Sequence, residues 1–236
     1  MPSPLEFAAA TLIMAVGSAF QAAVGLGLAL LVVPLLALID TGFVPGPMLF
    51  AGIALAVATA WRDRAEIDRA TLRMSFVGLT IGTSVGAVAL KLVARADLPR
   101  LFGALILLAV LISVAAPRVA ATPRALLAGS TVSGVMGTMV GVHGPAIALV
   151  LQNTEPAQVR AMLGAFFAVG YAMAVAWLAV LGLFGRHELV LGLALLPGVG
   201  LGYLVAPAIS KFIDTRVLRI AILVISSVSA VGLLFR

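Results

Sequence analysis

The chain has 236 residues, 63% of them hydrophobic and 10% charged, and a mean hydropathy of +1.22. So much apolar surface excludes a water-soluble domain of this length and makes the chain a polytopic membrane protein. The net charge of +6 is spread over short connecting segments, which argues against nucleic acid as a partner, and the lack of cysteine excludes disulfide and thiol chemistry.

The apolar runs are continuous rather than alternating, so they read as helices and not as barrel strands. They cover about 7–39, 43–61, 74–93, 98–116, 125–154, 158–185, 189–210 and 217–235. The run 7–39 contains no Asp, Glu, Lys, Arg or His. As one straight helix it would extend roughly 50 Å, against a hydrocarbon core of about 30 Å. It is too long to cross once and has no charged loop that would let it cross twice. Within it Gln21 is followed by Gly25 and Gly27, a pattern that predicts a helix broken at membrane depth. The run 125–154 has the same anomaly, interrupted by Gly141, His143, Gly144 and Pro145; the proline removes a backbone donor there.

The two halves repeat each other. An offset of 116 places Val24 and Gly25 on Val140 and Gly141, and Trp61 on Trp177. An offset of 120 places Gly78, Gly82 and Lys91 on Gly198, Gly202 and Lys211. A duplicated unit of four segments follows, with an N-terminal repeat over 1–120 and a C-terminal repeat over 121–236. If all eight segments cross, Lys and Arg divide 8 to 7 between the two sides. If 7–39 and 125–154 are instead re-entrant hairpins, the division becomes ten to five, the asymmetry that insertion favours. The expected architecture is therefore all-α, with two inverted repeats, each opening with a broken or re-entrant helix, and with both termini outside. Gly78, Gly82 and Gly86 form a small-residue ladder for close helix packing, and offer a face for a homodimer.

No Asp or Glu is expected near the middle of a span, where a proton- or sodium-coupled carrier usually keeps one. Two histidines without clustered carboxylates argue against a metal site, and no cofactor motif is present. Hydroxyls that bond their own helix backbone make an enzyme improbable. The two breaks remain. A half-helix starting inside the membrane presents free N–H groups and a positive dipole end, which together suit an anion. The candidate binding residues are Gln21, Gly25 and Gly27 at the first break and Gly141, His143 and Gly144 at the second, with both half-helix starts aimed at one centre. Arg62 joins them, because a second helix as long as its repeat partner would run past Trp61 to near Arg69 and hold Arg62 and Arg64 near the inner mouth.

The run from Ser133 to Pro145 (SGVMGTMVGVHGP), followed by an apolar helix and a loop at Pro156, resembles the second-repeat signature of the TauE/SafE sulfite exporter family. The run from Gly25 through Val33 and Pro34 is similar to that family's first glycine-rich segment. The chain departs from the pattern at Leu26, Leu28 and Ala29, where glycines are denser, and at His143, where a small residue is common. The resemblance implies export of a small sulfur-containing anion, sulfite or an organosulfonate, across a bacterial inner membrane. It places the family signatures on Gly25, Gly27 and Pro34 and on Gly134, Gly141, Gly144 and Pro145. Two other readings stay open: a secondary transporter of another small solute, and an accessory subunit of a membrane complex.

Overall fold

Ser3 and Glu6 start the first helix reciprocally. The Ser3 hydroxyl accepts from the Glu6 N–H, and the Ser3 N–H donates to the Glu6 carboxylate at 2.6 Å. The computed structural model describes residues 2–25, 28–115, 119–209 and 215–235. Among them every regular element is helical. The first half holds α1 (Pro4–Val24), α2 (Leu28–Ile39), α3 (Gly46–Arg62), α4 (Arg69–Lys91) and α5 (Leu98–Ala115). The second holds α6 (Pro123–Val140), α7 (Gly144–Leu151), α8 (Pro156–Val180), α9 (Arg186–Ile209) and α10 (Thr215–Leu234). The eight apolar runs become ten helices because both overlong runs divide where glycine was expected to break them.

The two breaks share one backbone geometry. Gly25 ends α1 at φ 87°, and Gly141 ends α6 at φ 87°. Each donates its N–H to the carbonyl four residues back, Gln21 at 2.7 Å and Gly137 at 2.8 Å. This left-handed turn is strained for any residue with a Cβ, and it reverses the chain. Phe7, near the start of α1, meets Phe43, just beyond α2, with ring centroids 5.8 Å apart. Asn153, just beyond α7, donates to the carbonyl of Val119, just before α6, at 3.3 Å. Both segments therefore fold back as helical hairpins.

Among the described residues, six helices are long and apolar enough to cross a membrane: α1, α4, α5, α8, α9 and α10. Their outer faces carry exposed aliphatic side chains, such as Val77, Ile81, Val85 and Val88 on α4. The opposite face of α4 is the glycine ladder, and it is used within the chain. A Cβ on Gly78 would lie 2.4 Å from the Leu127 carbonyl oxygen of α6, and one on Gly82 would lie 2.1 Å from that of Thr131. On α9, Gly198 and Gly202 meet the α1 carbonyl oxygens of Thr11 and Ala15 at 2.3 and 2.2 Å in the same sense. Leu127 and Thr131 lie 116 positions after Thr11 and Ala15, so equivalent glycines meet equivalent carbonyls. The expected dimer face is thus an internal interface, because backbones approach this closely only where side chains are absent.

One length expectation fails. α3 has 17 residues against 25 in α8, and it stops at Arg62 with Asp63 as its C-terminal cap; Arg64 falls in a following 3₁₀ turn. The shortfall is at the start, where the 3₁₀ turn Thr41–Phe43 and the stretch through Pro45 occupy positions that are helical in α8. Arg64 instead stacks on exposed Trp61, 4.8 Å from the ring centroid, and donates to its carbonyl.

Candidate functional site

α1, α3 and α8 converge where α1 ends. Their cleft is lined by Gln21, Gly25, Thr59, Arg62, Arg160, Gly164 and Phe167. Gly164 has no side chain, so α8 can lie against α3 with a would-be Cβ only 3.0 Å from the Ala60 nitrogen. This contact brings Arg62, in the last turn of α3, beside Arg160, in the second turn of α8.

The two guanidiniums share one carboxylate. Arg62 donates from Nε and Nη2 to Asp63, both at 3.1 Å, and Arg160 Nε lies 3.7 Å from Asp63 Oδ2. Two cations and one anion leave the cleft a net positive charge. Arg62 Nη2 also donates to the Ala22 carbonyl at 2.9 Å, at the negative end of the α1 dipole. The Arg160 stem lies over Gly25, where a Cβ would be 2.7 Å from Arg160 Cγ. Both guanidinium side chains remain about one-third exposed, at 36% and 32%, and so can meet a solute. At the cleft wall Gln21 is buried, and its Nε2 has no hydrogen-bond partner. A buried donor without a partner costs about 1–3 kcal/mol, so the Gln21 amide beside two guanidiniums is available to an acceptor that enters the cleft.

The second break lies deeper. His143 precedes α7 and is fully buried, with neither ring nitrogen hydrogen-bonded. Its ring is held by glycines: a Cβ on Gly137 would be 2.1 Å from Nδ1, and one on Gly170 would be 3.0 Å from Cδ2. Gly141 faces Val33 and Met48, and the Ile147 N–H in the first turn of α7 donates to Ser133 Oγ at 3.0 Å. Gly144 is buried at the start of that helix.

The structure thus gathers Gln21, Gly25 and Arg62 into one cleft and sets Gly141, His143 and Gly144 apart from it. Gly27 lies outside the described residues. The two breaks do not meet at one centre. The first lies by Arg160 and the second by Gly170, ten residues or about 15 Å further along α8. Tyr171 lies between them: its ring stacks on that of Phe167, which lines the cleft, and stands edge-on to His143 at 5.0 Å.

Sequence reasoning missed Arg160, Thr59, Gly164, Phe167 and Tyr171. Arg160 follows Pro156 closely enough to read as a loop residue, yet α8 begins at that proline. Gly164, a glycine inside an apolar helix, was the available signal for close approach. Thr59 bonds its own backbone at Leu55 and Ala56, as expected of a membrane hydroxyl.

A protein-family model described as "Sulfite exporter TauE/SafE" matches residues 9–233. No curated protein and no solved structure matches the chain.

Proposed function

Because the chain belongs to the sulfite exporter TauE/SafE family, we propose that it exports a small sulfur-containing anion, sulfite or an organosulfonate, across a bacterial inner membrane. The observation that carries this reading is the convergence of Arg62, Arg160 and the unpartnered Gln21 amide on one cleft at a helix break. Guanidiniums bind the oxygens of an oxyanion through planar, paired N–H donors. The Gln21 amide adds one uncharged donor beside them.

Export proceeds by alternating access between two inverted repeats. Two observations support the inversion. The end of α3 meets the start of α8 at Gly164, while the start of α3 meets the end of α8, with Gly46 and Phe50 against Phe184. Likewise Gly103 of α5 faces Ala230 of α10, whereas Ser113 accepts from Arg219. Equivalent helices thus run antiparallel. The Arg62 end faces the cytoplasm, where the more basic loops belong. Moving one negative charge outward across 100 mV, inside negative, releases about 2.3 kcal/mol, so export needs no proton-binding carboxylate. All described Asp and Glu residues stand at helix ends or in connections.

Thermal unfolding of the purified protein with sulfite, thiosulfate, sulfoacetate and chloride tests the reading. Sulfur oxyanions raise the melting temperature and chloride does not, because a ligand that binds only the folded state stabilises it. Arg62→Ala and Arg160→Ala each remove that shift. A full shift in both variants would move the site elsewhere.

A further inference from the structure

Two groups of idle donors lie along α8 with one aromatic pair between them. At the cleft is Gln21, with Nε2 unpartnered; beyond it is His143, with both ring nitrogens unpartnered and no exposure at all. Phe167 lines the cleft. One turn further along α8, Tyr171 stacks on Phe167, with centroids 5.6 Å apart and planes 2° apart, and its far edge meets His143. Tyr171 is 1% exposed and Phe167 3%.

The repeat sets these donors at exchanged positions of the two halves. At the offset of 116 Gln21 corresponds to Gly137, and His143 corresponds to Gly27. Each break therefore carries one polar side chain and one glycine at the same two positions, with the order exchanged. In the second half the polar side chain packs on its glycine, His143 on Gly137.

We propose that His143 forms a second, occluded subsite for the oxygens of the transported anion, and that the Phe167–Tyr171 pair is the gate and size filter separating it from the arginine cleft, where Gln21 lies. The proposal rests on the anion-export reading. The cleft's guanidiniums capture the charge, and the inner subsite supplies only neutral donors. Anchoring is weaker there, as passage requires. Gly137 and Gly170 enclose the His143 ring, so the subsite admits a solute only after the aromatic pair moves. The size of that movement sets which sulfonates pass.

The chain has no cysteine, so single-cysteine variants report without background. In detergent, Arg62→Cys in the cleft, at a side chain 36% exposed, reacts readily with a small negatively charged methanethiosulfonate reagent, and His143→Cys reacts at least tenfold more slowly. Adding Phe167→Ala, or independently Tyr171→Leu, speeds His143→Cys by tenfold or more and leaves Arg62→Cys unchanged. Two separate gate variants guard against one that fails to fold, and monodisperse elution is required of each. In proteoliposomes of the cysteine-free protein, Phe167→Ala raises flux of the larger sulfoacetate relative to sulfite. His143→Cys labelling as fast as Arg62→Cys with the aromatic pair intact would overturn the gate, as would labelling indifferent to both gate variants. Those outcomes do not depend on which anion is carried. Absent sulfite binding with the labelling pattern intact would overturn the export reading, and with it the assignment of the inner donors to an anion.

Discussion

Arg62 and Arg160 are held by one shared carboxylate, so neither is fully neutralised by Asp63. A hydrogen bond to a charged group contributes about 1.5–3 kcal/mol, so replacing either arginine with alanine weakens sulfite affinity by tenfold or more. Titration calorimetry measures this directly. Gly25 is constrained twice, by its φ of 87° and by the Arg160 stem 2.7 Å from a would-be Cβ. Three alanine substitutions separate these effects. Gly182 has φ 74° with nothing within 4 Å of a Cβ, so Gly182→Ala reports the backbone cost alone, roughly 1–2 kcal/mol. Gly141→Ala adds little to that, since its nearest neighbour is the Val33 side chain at 3.2 Å. Gly25→Ala costs the most, because Arg160 must move as well. The order Gly25, Gly141, Gly182 in lost stability is expected from denaturant unfolding.

Pro34 inside α2 cannot donate to the Leu30 carbonyl. Ser226 of α10 donates to that oxygen instead at 2.5 Å and also to its own Ile222 carbonyl. One hydroxyl thus ties the second half of the chain to the first hairpin. Ser226→Ala leaves the Leu30 oxygen unsatisfied and costs about 1–3 kcal/mol. Pro34→Ala restores the local donor, so the double variant loses less than the sum of the two singles, which a double-mutant cycle measures. On α4, Gly82→Ala forces a Cβ against the Thr131 oxygen at 2.1 Å and destabilises by about 1–3 kcal/mol or more, while Val85→Ala on the outer face is tolerated. These elements were largely legible in the sequence. Length against bilayer thickness marked both broken segments, and glycine spacing marked the α4 and α9 ladders. What the ladders pack against was not legible, because Thr11, Ala15, Leu127 and Thr131 contribute backbone oxygens, which any residue carries. The short α3 was missed because its start is displaced by a turn, an irregularity that exact repetition hides.

For the molecule as a whole, the sequence alone singled out Gln21 and Gly25 on α1 and Arg62 on α3, which lie along one cleft. It did not reveal that α8 completes the cleft, since Arg160 and Phe167 carry no motif and only the antiparallel packing of α3 on α8 brings them near. Nor did it reveal that the second break lies beyond an aromatic pair. Both omissions have one cause: glycine placement fixes where a helix breaks but not which distant helix packs against the break. The antiparallel pairing of equivalent helices suits a carrier that opens to either side of the membrane.

Flux of labelled sulfite from proteoliposomes under an imposed potassium diffusion potential tests the central claim most directly, because it needs both the anion and its charge to move through this protein. The account predicts efflux that accelerates as the interior is made more negative and that falls to the level of empty liposomes in the Arg62→Ala, Arg160→Ala double variant. Efflux indifferent to voltage, or undiminished in that variant, would contradict it.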